Sequence, residues 1–327
     1  MQKLNIGIIG LGYIGKTHIY NCMRLEDAKL VAVADVSKNA LNKAKKIGVP
    51  NTYNDYQELL NNPQIDAVII ALPTHLHAKC AIAAAEAHKH ILLEKPISRN
   101  TVEATEILSK VRSNGVKIMI GYPLRFSQPF IDLKKRVDNG ELGEIQSAYA
   151  LNINSGPFVY RAEIGAPIPV PDWWWRKEYT GGGALIDLGS HMINLAQWYF
   201  GEVTDAKSYL GYRYKLEQED HAICLLKFRE GQSVIINVGW YSTQTQLRLD
   251  VHGTCGLGVA CMTTPSKINT VTKMLLRETP PYYIPFLKEV EHFVESIKKD
   301  QQPEPSGEDG FKDLQAIEAA YKNSTKL

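Results

Sequence analysis

Asn5-Ile6-Gly7-Ile8-Ile9-Gly10-Leu11-Gly12-Tyr13-Ile14-Gly15 decides the fold. A short apolar run ends in glycines, and Ile14 to Leu25 then reads as a helix. Gly10, Gly12 and Gly15 fill the pattern GxGxxG, and each glycine has a task. Gly10 permits the tight turn, Gly12 lets the backbone approach a pyrophosphate, and Gly15 lets the helix pack close to the sheet. The helix N-terminus then offers N–H groups and a positive dipole end to phosphate. A second apolar run, Leu30-Val31-Ala32-Val33-Ala34, ends in Asp35, about 20 residues past the last glycine. An acid there accepts hydrogen bonds from ribose hydroxyls and repels a 2′-phosphate, which favours NAD. Ser37 and Lys38 keep NADP open should Asp35 turn away. Tyr13, Ile14 and Val36 flank these groups and join Gly10, Gly12, Gly15 and Asp35 as cofactor-binding candidates.

The same rhythm continues outward. Asn39–Ile47, Tyr56–Leu60, Ala78–Ala87 and Val102–Arg112 read as helices, while Ala67–Leu72, Ile91–Leu93 and Lys117–Ile120 read as apolar strands. Short apolar strands alternating with helices predict an α/β fold with a doubly wound parallel sheet, covered on both faces. A TIM barrel would have to carry the rhythm to the end of the chain. It stops near residue 122, so residues 1–122 form one expected domain and 123–327 the other.

Beyond it, Pro129–Asn139 and Leu185–Phe200 read as helices, and 156–175 reads as a long loop rich in proline and tryptophan. Glu144–Asn154, Ala206–Tyr214, Asp220–Arg229, Ser233–Tyr241 and Leu247–Gly253 read as strands. Glu230-Gly231 reads as a hairpin turn, which predicts an antiparallel or mixed sheet. Two late helices, Tyr282–Lys299 and 310–322, follow.

With 327 residues, two domains are expected at about 100–200 residues each. Hydrophobic residues make up 44% and charged residues 22%, which excludes a disordered or collagen-like chain. The net charge of +2 leaves no global basic footprint for nucleic acid or anionic membrane. No apolar run reaches a membrane span, and no signal peptide is indicated. Cys22, Cys80, Cys224, Cys255 and Cys261 form no CxxC pair or zinc spacing, so free thiols in the cytoplasm, and no metal, are expected.

Polar residues at the strand ends carry the chemistry, because ligands in open parallel sheets sit beyond the carboxyl ends of strands. Leu72, Pro73 and Thr74 end one apolar run and are candidates to touch the cofactor. His77 suits either a ligand or a packing residue at the helix start. Glu94-Lys95-Pro96 ends the next run. Lys95 can donate to a substrate hydroxyl and stabilise a developing alkoxide, or be a solvated strand end. Glu94 can contact the cofactor or pair with a basic neighbour. Asp187 and His191 lie four apart on one helix face. They suit a proton acceptor with its orienting acid, or a structural pair at the core edge.

These stretches together resemble the Gfo/Idh/MocA oxidoreductase family almost end to end. The resemblance rests on GLGYIG at 10–15, Glu94-Lys95-Pro96, Gly121-Tyr122-Pro123-Leu124-Arg125-Phe126, GGGALIDLGSHMINLAQW at 181–198 and Pro305–Gly310. It implies an N-terminal Rossmann domain and a C-terminal α+β domain with a large, mostly antiparallel open sheet. The last helix, 310–322, is left free to pack back on the N-terminal domain. Lys95 matches the family's catalytic lysine, Asp187 its substrate-binding acid and His191 its catalytic histidine. Tyr122, Arg125, Trp174 and Arg176 match segments near the substrate pocket. Three adjacent tryptophans, Trp173 to Trp175, exceed the family pattern.

The resemblance also implies hydride transfer between a secondary alcohol of a sugar, polyol or nucleotide-sugar and nicotinamide C4. His191 would take the hydroxyl proton, Lys95 would hold the oxygen, and Asp187 would bind a neighbouring hydroxyl. An NAD-dependent glycosidase and a cofactor-binding regulator without turnover are the alternatives within the family. A homodimer or homotetramer built through the open sheet face is implied, with neither nucleic acid nor membrane as partner.

Overall fold

The computed structural model describes residues 3–158, 160–161, 166–167, 170–263 and 281–327. The chain divides into two compact units: Met1–Pro123 with Phe286–Phe311, and Leu124–Pro285 with Lys312–Leu327. The expected domains run consecutively, whereas these units interleave, because the segment after Pro285 packs with the first unit. Ile120 N–H donates to Pro305 O, and Gln302 Nε2–H to Ile118 O, so this late segment lies along the edge of the parallel sheet.

The first unit holds six strands: β1 Leu4–Ile9, β2 Ala28–Ala34, β3 Asn51–Tyr53, β4 Ala67–Ile70, β5 His90–Glu94 and β6 Ile118–Gly121. Their order is β3-β2-β1-β4-β5-β6, and every pairing is parallel. This is the Rossmann arrangement, with its switch point between β1 and β4. Helices α1 Tyr13–Cys22, α2 Lys38–Lys46, α3 Tyr56–Leu60, α4 His77–Glu86 and α5 Thr101–Ser113 connect the strands. Ile6, Ile8, Val33, Val68, Ile69, Ile91 and Leu92 are fully enclosed. Strand β3 has no counterpart in the sequence reading. It is a three-residue, half-buried edge strand, Asn-Thr-Tyr, and carries no apolar signal.

The second unit is built on seven strands: β7 Ile145–Ile153, then, past the two-residue pair β8 Tyr160–Arg161 and β9 Ala166–Pro167, β10 Val203–Gly211, β11 His221–Phe228, β12 Ser233–Gly239, β13 Gln246–Gly253, β14 Gly256–Thr263 and β15 Ser324–Lys326. Their order is β14-β13-β7-β12-β11-β10-β15. Four of the pairings are antiparallel, and β7–β12 and β10–β15 are parallel. The hairpin at Glu230-Gly231 is present, with Gly231 at φ +95°. Helices in this unit are α6 Gln128–Asp138, α7 Lys177–Thr180, α8 Ala184–Asp187 and α9 Gly189–Phe200. The last two helices of the chain, α10 Ile284–Lys298 and α11 Gly307–Lys322, each contain a boundary between the units. The long loop 156–175 is described only in part, with short helical turns at Gly156–Phe158 and Asp172–Trp175.

One continuous helix was expected over 185–200, and the structure breaks it at Leu188. The Asp187 carbonyl accepts from Ser190 Oγ, and that of Leu188 from Asn152 Nδ2 at 3.1 Å. Side chains there take carbonyls that the helix would otherwise use. Leu188 stays in the right-handed region (φ −90°, ψ −35°), so Asp187 and His191 keep nearly helical spacing across the break.

Candidate active site

The first unit shapes a cofactor loop between β1 and α1. Gly10 has φ +91°, and a Cβ there would lie 2.4 Å from Ala71 O. A Cβ on Gly15 would fall 1.9 Å from Gly10 O, so the helix can approach the turn only without a side chain. Around Gly12, by contrast, the chain leaves open space, and no side chain caps the helix it begins. Among the described residues nothing crowds that position, and an open backbone at a helix start is what a pyrophosphate would need. Asp35 Oδ2 accepts Leu11 N–H at 2.6 Å and Oδ1 accepts Ser37 N–H at 2.7 Å, which fixes the carboxylate at the end of β2 beside this loop. Each oxygen keeps a lone pair for a ribose hydroxyl. Tyr13 and Val36 are exposed, and Ile14 is half-buried. These features fit a bound dinucleotide.

Strand ends β4 and β5 supply the next groups. Leu72, Pro73, Thr74, Glu94 and Lys95 are all half-buried. His77 is enclosed, with Nε2 2.8 Å from Leu72 O and Nδ1 2.8 Å from Pro96 O. It braces the two strand ends, and burial holds it below the usual histidine range against the pull of those carbonyls. Glu94 turns its carboxylate onto His18 of α1, 2.8 Å from Nε2, and over Gly121 of β6. The Lys95–Pro96 peptide is cis. Tyr122 is buried. His18 was absent from the sequence reading, since it is one polar residue within a helix.

In the second unit, Gly181 takes φ +84° to end α7, and Gly183 packs on the backbone of Glu219. The Glu219 carboxylate accepts Gly183 N–H, Leu185 N–H and Tyr321 O–H, which anchors the start of α8. Burial raises Glu219 above the ordinary carboxylate range. Asp187 at the end of α8 and His191 in the first turn of α9 are half-buried. Trp240, 1% exposed, donates Nε1–H to Asp187 Oδ2 at 3.1 Å. Trp174 meets Trp240 edge-on at 6.2 Å, and Trp173 stacks on Trp174 at 5.4 Å. The tryptophan run is thereby linked to the indole that orients Asp187. Sequence reading missed Trp240, which lies 53 residues from its partner.

Arg125 is buried. Its Nε–H donates to Asn194 Oδ1 at 2.8 Å, and its guanidinium lies over Trp198. Asn194 Nδ2 and Gln197 Nε2 in turn donate to Asp313 at 2.7 Å each. Arg125 is therefore part of a buried network along α9. Arg176 is exposed and pairs with Glu178 at 3.1 Å.

Comparison with known proteins agrees with this architecture. Residues 4–122 match the family described as "Oxidoreductase family, NAD-binding Rossmann fold", and residues 130–257 match the "GFO/IDH/MocA C-terminal domain". The chain belongs to the Gfo/Idh/MocA family of oxidoreductases, and its cofactor domain is of the NAD-binding type. It is 29% identical to myo-inositol 2-dehydrogenase of Thermotoga maritima, over 98% of this chain and 96% of that protein. It is 30% identical to the uncharacterized oxidoreductase YrbE of Bacillus subtilis, over 98% and 94%. The crystal structure of a probable dehydrogenase from Thermotoga maritima matches with a TM-score of 0.84 and 27% identity, over 98% and 97%. Among the described residues, no helix is long and apolar enough to cross a membrane.

Proposed function

We propose that this protein is an NAD-dependent dehydrogenase acting on a ring secondary alcohol of an inositol or a related sugar. Its end-to-end likeness to myo-inositol 2-dehydrogenase is the observation that carries the reading. NAD, when bound, supplies the hydride acceptor. Gly10, Gly12 and Gly15 with the start of α1 would hold its pyrophosphate, and Asp35 its adenosine ribose.

The chain's own side chains would then manage one substrate hydroxyl. His191 takes its proton, and an imidazole suits that task near neutral pH. Lys95, as an ammonium, holds the oxygen and stabilises the charge that develops there. Asp187 binds a neighbouring hydroxyl, with its carboxylate oriented by Trp240 Nε1–H. Trp174 supplies an apolar wall suited to a sugar ring.

We further infer a homodimer or homotetramer in the cytoplasm. Ile223, Leu225, Ile235, Leu257 and Val259 on β11, β12 and β14 are each 39–49% exposed, which gives the open sheet face an apolar surface that a second copy can cover.

A panel of myo-inositol, scyllo-inositol, aldoses and nucleotide-linked sugars with NAD and with NADP, read by absorbance of the reduced nicotinamide, tests the substrate class. Lys95→Ala should lose most turnover, by about a hundredfold or more, while its affinity for NAD changes little. Near-normal turnover in that variant sinks the role given to Lys95.

A further inference from the structure

Three titratable side chains meet inside the first unit, behind the strand end that carries Lys95. Glu289 of α10 is 0% exposed, and neither carboxylate oxygen has a hydrogen-bond partner. His18 of α1 is equally enclosed. Its Nε2 lies 2.8 Å from Glu94 Oε1, and its Nδ1 has no partner. One polar atom from each residue lies within 4.8 Å of the other two.

Elementary electrostatics limits the charge this group can hold. Two carboxylates this close, away from water, cannot both ionise. Glu94 has a facing ring nitrogen and slight solvent access, with its side chain 12% exposed. Glu289 has neither, so an ionised Glu289 would be an uncompensated buried charge. The ring hydrogen of His18 belongs on Nε2, where it meets a carboxylate. On Nδ1 it would be a buried donor with nothing to bond.

We propose that His18, Glu94 and Glu289 form a buried unit with a single negative charge, carried by Glu94, and that this unit positions the strand end bearing Lys95. The second half of the proposal rests on Lys95 acting on the substrate hydroxyl. Burial first, and then the Glu94 charge, push the Glu289 carboxyl well above the ordinary carboxylate range. Among the described residues, the titratable groups that meet Glu289 are Glu94 from β5 and His18 from α1. His77 from α4 lies next, within electrostatic reach of Glu94. The His18–Glu94 bond joins the helix that begins at the cofactor loop to the strand that ends at Glu94, one residue before Lys95. Glu94 and His18 are therefore positioning residues, and Glu289 keeps the charge at one.

The rival occupant is a divalent cation, which one imidazole and two carboxylates have the donor atoms to bind. The two cases respond oppositely to Glu289→Gln, which removes titration and keeps shape. A carboxyl whose folded pKa is raised contributes stability that is complete below its unfolded pKa. That stability is lost as pH climbs through the folded value. E289Q should therefore match the wild type in mild acid and melt at progressively higher temperature than it as pH rises. Infrared spectra at neutral pH should show a protonated carboxyl band in the wild type that weakens in E289Q. If ionisation of Glu289 lowers kcat at alkaline pH, E289Q should hold its kcat to higher pH than the wild type. Glu94→Gln should lower kcat about tenfold while NAD affinity changes little.

Stoichiometric metal in the purified full chain, measured by mass spectrometry, overturns the proposal. So does E289Q losing stability across the neutral range, or a wild type with no protonated carboxyl band, a measurement that needs no folded variant. Near-normal turnover in K95A would remove the catalytic reading of Lys95 and leave the infrared and melting results standing. An unchanged kcat in E94Q, with K95A inactive, would overturn the positioning role alone.

Discussion

Ile69 in β4 and Ile235 in β12 are the same residue in the middle of two strands, and the chain treats them differently. Ile69 is 0% exposed, within a parallel sheet whose central strands are shielded on both faces. Ile235 is 45% exposed, on a strand where buried and open residues alternate. The first sheet needs helices on both sides, because each connection between parallel strands crosses a face. The second turns back on itself through hairpins and leaves one face open, with Ile223, Leu225 and Leu257 beside Ile235. The first sheet is thus insulated by its own chain, and the second leaves apolar side chains exposed on one face, the surface on which the proposed second copy would sit.

Paired truncation breaks this comparison most directly. Ile69→Ala should cost about 2–5 kcal/mol, as for other buried aliphatic truncations, and should lower the denaturant midpoint clearly. Ile235→Ala in the isolated subunit should cost under about 1 kcal/mol. Its effect should grow with protein concentration if the open face is covered by a second copy. Equal losses at both sites, independent of concentration, would remove the distinction between the sheets.

The same contrast explains what could be read from the sequence. Ile6, Ile8, Val68 and Ile69 sit in unbroken apolar runs, and the glycines between β1 and α1 mark one specific turn, so the cofactor sheet was legible. The alternating strands of the second unit were legible too, but their order was not, since pairing β7 with both β12 and β13 joins residues 86 to 108 positions apart. Strand β3 was invisible because its residues are polar and half-buried. The break at Leu188 involves Asn152, 36 residues upstream, as well as the neighbouring Ser190, and a partner so distant leaves no local signal. Lys95 stood out as a charged residue where an apolar run stops, Asp187 and His191 as a polar pair four apart on one helix face, and the family resemblance supplied their roles. Their supports, His18, Glu289 and Trp240, are single residues whose partners lie far along the chain.

A smaller effect is expected at Trp240. The indole N–H donates to Asp187, and Trp240→Phe keeps an aromatic ring while deleting that donor. Asp187 is half-buried, so water can replace part of the lost bond. KM for the substrate should rise about three- to tenfold, with NAD affinity unchanged. A rise in the KM for NAD of equal size would place Trp240 in general support of the fold instead.

The smallest effect separates two buried carboxyls, one in each unit. Glu219 is raised by burial, as Glu289 is, but Gly183 N–H, Leu185 N–H and Tyr321 O–H all donate to it. Those bonds favour the ionised form and offset part of the burial penalty, whereas Glu289 has no donor at all. Both carboxyls lose stabilising power as pH rises through their folded values, and Glu219 should lose less. Glu219→Gln keeps an acceptor for the start of α8 but weakens it. The melting advantage of E289Q over wild type should therefore grow with pH, while E219Q should gain little or fall slightly below wild type at neutral pH. If the two variants trace the same curve, donors at a buried carboxyl matter less here than burial alone, and the contrast between the units would rest on their sheets.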